Sequence, residues 1–309
     1  MKKRIALLAT AVVLGLSSPA VAINSTSPLN NAKPLNNATP LNNAKPLNNA
    51  TPLRSQPKPA AKSQSIKKSV SAPRLVTPSG FNPATHGFSF ANWQGGSLSE
   101  KTSISLLVQL FGEQSVCQSI NADRSCIPFP KAKEYALQFA DTISFGRCEG
   151  MVVLASSMFG NGKQAAGLSK QEVDSSILYW WASQILPSVT AASESTKQLT
   201  PTELLPLIQQ GISNASSSTL GLYDQGQGHT LLPIRQEQNG NVVTVHVYDS
   251  NTPLIAQQVL INTAKNSWSY TAVDAAGDVV MKWAGSGAGT LDVIPMSARQ
   301  PQATSYFNQ

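Results

Sequence analysis

The sequence predicts an α+β domain preceded by a leader and a long polar tail. Three observations predict it. Between residues 97 and 211 apolar side chains recur at helical spacing, interrupted by Gly, Pro and capping residues. From residue 229 onward short runs alternate apolar with polar. Between two of those runs stands Asn239-Gly240, the strongest short signal for a hairpin. Helices first and antiparallel strands second give an α+β layout.

The chain opens on a basic "MKKR", an apolar "IALLATAVVLGL" and a small-residue "SSPAVA". This is the pattern of a Sec-type secretory signal peptide of a bacterial protein, residues 1–22, with cleavage after Ala22. The apolar stretch is shorter than the roughly 20 residues a membrane span needs. No second long apolar run follows, so no integral membrane segment is expected after cleavage. The protein is then expected outside the cytoplasm, secreted or periplasmic.

Residues 23–80 read as a disordered linker. Four copies of PLNNA[KT] fill Pro28–Thr51, and a Pro-, Lys-, Ser- and Ala-rich stretch follows. One leucine per unit cannot build a core. The whole chain carries a formal net charge of +7, yet residues 1–80 hold 11 Lys and Arg and no acid. Residues 81–309 therefore keep 12 basic against 16 acidic side chains, a net of −4. A nucleic-acid-binding domain would carry its basic patch on the folded part, so no nucleic-acid partner is expected. The cationic tail is expected to contact anionic envelope surfaces.

Residues 81–309 suffice for one domain. Helices are expected over "SLSEKTSISLLVQLFG", over "PKAKEYALQFADT" with Pro130 at its start, and over "CEGMVVLASSMFG" from Cys148 to Gly160. Two more follow: one with a capping box of Ser169 and Glu172, and one with Thr200, Pro201 and Glu203 at its start and Gly211 at its end. Strands are expected at "HTLLPIRQEQ", "NVVTVHVYD", "QQVLIN", "SWSYTAV", "DVVMKW" and "LDVIP".

There are three cysteines. Cys117 and Cys126 bracket a loop rich in turn formers and are the natural disulfide pair in an oxidising compartment. Cys148 is left over. It is either a small buried core residue or a nucleophile at a helix start, where the helix N-terminus favours a thiolate. A nucleophile needs a base, and the base needs an orienting group. Counting outward from a two-residue turn at Asn239-Gly240, position 229 faces about position 250, which brings Asp249 within one residue of His229. The glycines around Cys148 and this His–Asp hairpin favour the nucleophile reading. His246 and His86 read as structural histidines. No His-x-x-x-His or Cys-x-x-Cys spacing exists, so neither a metal site nor a cofactor is expected. "GSGAGT" falls between late strands and reads as a turn rather than a phosphate loop.

These residues resemble a papain-like cysteine peptidase domain, with Cys, then His on a strand, then an acid or amide on the next. More narrowly, "HGFSFANW", "FGRCEGM" and "GHTLLPIRQEQNGNVVTVHVYDSNTP" are similar to a poorly characterised group of exported bacterial proteins. The resemblance implies a papain-like fold, with the Cys148 helix packed on the antiparallel sheet. It also implies Cys148 as nucleophile, His229 as base and Asp249 as orienting acid, acting on a peptide or amide-containing substrate. Such enzymes carry an oxyanion glutamine just before the cysteine. This chain has none there, and Gln94 or Asn92 would have to serve from further off. That departure keeps three readings in play: a thiol hydrolase or acyl transferase, a non-catalytic exported binding domain, and a structural envelope protein whose PLNNA repeat is the working part.

Overall fold

The computed structural model describes residues 79–213 and 217–308. The signal-peptide reading of 1–22 and nearly all of the 23–80 linker lie outside the described residues. The fold class is α+β.

The first half is helical: α1 (Pro83–His86), α2 (Glu100–Phe111), α3 (Glu113–Val116), α4 (Pro130–Thr142), α5 (Cys148–Gly160), α6 (Lys170–Ala182), α7 (Pro187–Lys197) and α8 (Pro201–Ser213). Each expected start signal acts as read. Glu172 closes the capping box on Ser169, and Glu203 accepts from both the N–H and the hydroxyl of Thr200 at 2.8 Å. Between α3 and α4 lies a two-stranded hairpin, β1 (Cys117–Ile120) and β2 (Cys126–Pro128). The disulfide Cys117–Cys126 ties it, with Cα atoms 5.4 Å apart. The bracketed segment is thus a stapled hairpin rather than a plain loop.

Seven strands follow: β3 (Ser218–Asp224), β4 (Gln227–Asn239), β5 (Val242–Tyr248), β6 (Ala256–Asn262), β7 (Ser267–Val273), β8 (Val279–Ser286) and β9 (Leu291–Pro295). They form one antiparallel sheet in the order β8-β7-β6-β5-β4-β3-β9. The sheet curls, so that β8 returns against β3. Its concave face gathers Leu220, Leu231, Val245, Val259 and Tyr270 around Leu204 and Ile208 of α8. Leu232, Ile234 and Tyr248 point the other way and pack on α5 with Phe88, Met151 and Val152. A third cluster holds α2, α4, α6 and α7 together. Helix α5 thus lies between the helical layer and the sheet, and Cys148 starts it at that boundary.

Six elements escape sequence reasoning: α1, α3, α7, β1, β2 and β3. Helix α7 has the sequence PSVTAASESTK, whose Ser and Thr weaken the helical signal. Strand β3 is short and glycine-containing. Among the described residues no helix is long and apolar enough to cross a membrane.

Candidate active site

The turn ahead of Cys148 is built around glycine and Asn92. A short turn at Ile143–Phe145 ends on Gly146, whose φ of 131° suits glycine, and a Cβ there would lie 3.1 Å from the Asn92 amide nitrogen. Arg147 then donates its backbone N–H to Asn92 Oδ1 at 2.7 Å. Cys148 follows as the first residue of α5. Gly150 is needed for a different reason. A Cβ on it would sit 2.1 Å from the carbonyl oxygen of Ile177, because α5 and α6 cross there in backbone contact.

His229 enters from a tight turn between β3 and β4, where Gln225 and Gly226 take φ values of 49° and 77°. It pairs across the ladder with Leu222. Asp249 stands one residue past β5. The hairpin register differs from the simple count in two ways. Asn239 pairs with Val242, so the turn residues are Gly240 and Asn241, and a bulge between Pro233 and Arg235 resets the ladder so that Leu232 faces Tyr248. One step on, Asp249 stands level with Leu231, on the face that His229 shares. The expected register would have put it level with Thr230, on the opposite face. The turn shift alone moves the pairing by two residues and keeps the face, so it is the bulge that brings Asp249 to the side of His229.

The contact itself is short. His229 Nε2–H donates to Asp249 Oδ1 at 2.8 Å, and both side chains are fully buried. Asp249 also accepts the Asn251 N–H at 2.7 Å and the Tyr270 hydroxyl on its other oxygen. Burial raises the Asp249 carboxyl, but the His229 charge and these hydrogen bonds outweigh it and hold the group below the ordinary carboxylate range. For His229, burial opposes protonation. The charge and hydrogen bond of Asp249 oppose burial, the nearby Cys148 acts in the same direction, and the net result is a pKa pushed up to about 10. The second ring nitrogen, Nδ1, is buried without a hydrogen-bond partner. Cys148 is a free thiol and the other group acting on that ring. The Trp283 ring stands edge-on to the imidazole at 6.2 Å.

No open cleft exposes the three residues: Cys148 is 2%, His229 1% and Asp249 0% exposed. They lie in a closed seam. The segment at 92–95 bonds along the turn before the cysteine, through Asn92 to Arg147 and through the Gly95 N–H to the Ser144 carbonyl at 2.8 Å. Both oxyanion candidates lie in this segment. Asn92 is buried and committed: its oxygen holds Arg147, its Nδ2 donates to Asn251 Oδ1 at 3.1 Å, and its backbone N–H bonds to Ser250 O at 2.7 Å. Gln94 is exposed, and only a long 3.5 Å bond to Phe145 O holds its amide, three residues ahead of the thiol.

The rival histidines are engaged elsewhere. His246 bonds Glu237 at 2.7 Å within the β4–β5 hairpin. His86 Nδ1 accepts the Asn82 N–H at 2.8 Å, and its ring packs on Phe159. Sequence reasoning missed Tyr270, Glu149, Thr230 and Arg299. Tyr270 alternates inward on β7, which marks it as a core residue but not as a partner of Asp249. Among the described residues no group of three or more His, Cys, Asp or Glu could hold a metal ion. Comparisons with family models, with curated proteins and with solved structures find no match to this chain.

Proposed function

We propose that this chain is an exported thiol hydrolase or acyl transferase of papain-like design, acting on amide bonds through Cys148, His229 and Asp249. One observation carries the reading. Asp249 holds Nε2 of a buried histidine and favours its charged form, while Nδ1 of the same ring stays unpaired with the free thiol of Cys148 as its remaining influence. A structural histidine would have both nitrogens satisfied.

The chemistry follows from these groups. The Cys148 proton passes to His229 Nδ1, and the sulfur attacks the amide carbonyl. The first N–H groups of α5 have no partner within the helix and face the developing oxyanion. Gln94 is exposed and can swing in to join them, whereas Asn92 is buried and fixed in place by its bonds to Arg147, Asn251 and Ser250. As the C–N bond breaks, the imidazolium gives its proton to the departing amine. Water or a second amine then attacks the thioester, giving a proton to His229 as the C–S bond breaks. Asp249 keeps the ring oriented and favours its charged form whenever it holds the proton. The Cys117–Cys126 disulfide supports placement in an oxidising compartment, as the leader sequence does.

The closure of the site favours a second reading, a binding domain that retains the arrangement without turnover. Alkylation separates the two. Iodoacetamide at neutral pH, with mapping of the modified residue, should label Cys148 in the wild type, and His229→Ala should slow that labelling severalfold. Equal rates in the two proteins would exclude the base role of His229.

A further inference from the structure

Glu149 directly follows Cys148 in the first turn of α5. An acid there ordinarily faces solvent and complements the helix dipole. Glu149 is instead 7% exposed, and its two oxygens lead in different directions. One accepts the Thr230 hydroxyl from β4, and the other pairs with Arg299, a fully buried residue in the turn Met296–Arg299 after β9. Arg299 is anchored in turn to Ser183 Oγ at 3.2 Å and Thr219 Oγ1 at 3.0 Å.

Thr230 is the residue after His229, as Glu149 is the residue after Cys148. Strand alternation turns Thr230 toward α5 while His229 faces Asp249. The Glu149–Thr230 bond therefore ties the nucleophile's turn to the base's strand through the two neighbouring residues. Arg299 by itself compensates the buried carboxylate. The hydroxyl of Thr230 adds little to that compensation, but it fixes β4 against α5.

We propose that Glu149, through its hydrogen bond to Thr230, is a positioning residue that sets the approach of Cys148 to His229. The inference rests on the reading of Cys148 as nucleophile and His229 as base. A cavity of about 50 Å³ lies beside the bond, lined by Glu149, Thr230, Lys197, Tyr223 and Asp292 among others. It leaves the carboxylate room to turn aside when the hydroxyl is lost, so removing the bond displaces the site before it unfolds the protein.

The test compares the full chain with Thr230→Val and Thr230→Ser. Two quantities are read: the iodoacetamide rate at Cys148, and the pH midpoint of the His229 ring by NMR. Thr230→Val should slow alkylation about tenfold or more. It should also lower the His229 midpoint, because the contribution of Cys148 to that ring weakens. Thr230→Ser, which keeps the hydroxyl, should restore both. Thr230→Ala carries the same expectation as the valine variant should valine prevent folding. A thermal midpoint that falls while rate and titration stay at wild-type values overturns the positioning role alone. Equal Cys148 rates in the wild type and in His229→Ala overturn the nucleophile reading, and this inference with it.

Discussion

The residue that fixes the chemistry is Asp249, because it decides the charge on His229. In the proposed reaction the ring that has taken the Cys148 proton keeps it below its raised pKa of about 10 and serves as acid toward the leaving amine. Turnover of an amide should therefore persist through neutral pH and fall on a basic limb near that value. Asp249→Asn removes the charge that opposes burial. It should move the limb to lower pH and reduce turnover, as a kcat/KM profile would show. Gln94→Ala tests the oxyanion assignment. The side chain is exposed, so the thermal midpoint should hold while kcat falls by roughly 10²–10³ if Gln94 is a donor. At this scale the sequence was legible where chemistry singles out a residue type. A lone third cysteine, one histidine opening a strand and one aspartate closing the next stood out. Glu149, Arg299 and Tyr270 did not, because each takes its role from a partner on a distant element, and an acid at a helix start already has an ordinary explanation.

At the scale of elements, two close approaches carry most of the local consequence. Gly150 lets α5 cross α6 in backbone contact, and a methyl group there would meet a carbonyl oxygen at 2.1 Å. Gly150→Ala should destabilise the protein toward the upper end of the roughly 1–3 kcal/mol that overpacking costs, measured by denaturant unfolding. The β1–β2 staple closes a short loop, and replacing Cys117 and Cys126 with serine should cost about 2–3 kcal/mol on the same measurement. Most helices and strands could be read from caps and alternation. The hairpin register could not. The turn sits one residue past the Asn239-Gly240 signal, and the bulge at Pro233/Arg235 is set by packing of β4 on both its faces, which a count along one strand does not contain.

For the whole molecule, helix α5 at the boundary of helices and sheet brings residues from both halves of the chain together. The buried pair also sets how stability depends on pH. The raised pKa of His229 contributes stability fully below its ordinary 6.5, and loses it as pH climbs through about 10. The depressed pKa of Asp249 contributes above the ordinary 3.8 and loses it as pH falls through the lowered value. Unfolding free energy should thus decline on both flanks, and Asp249→Asn should flatten the alkaline one. The layered fold was legible because patterning switches from helical to strand period along the chain. The frame of the turn before the thiol was not, since Asn92 and Gly95 reach residues 144–147 across about fifty residues of sequence. The central claim is that Cys148 takes up an acyl group with His229 as its base. Its most direct measurement is the mass of the intact protein after brief exposure to p-nitrophenyl acetate, with the modified residue mapped. One acetyl group per chain is expected, on Cys148, absent in Cys148→Ala and slowed in His229→Ala. Acetylation confined to lysines, or equal uptake in the His229 variant, would contradict it.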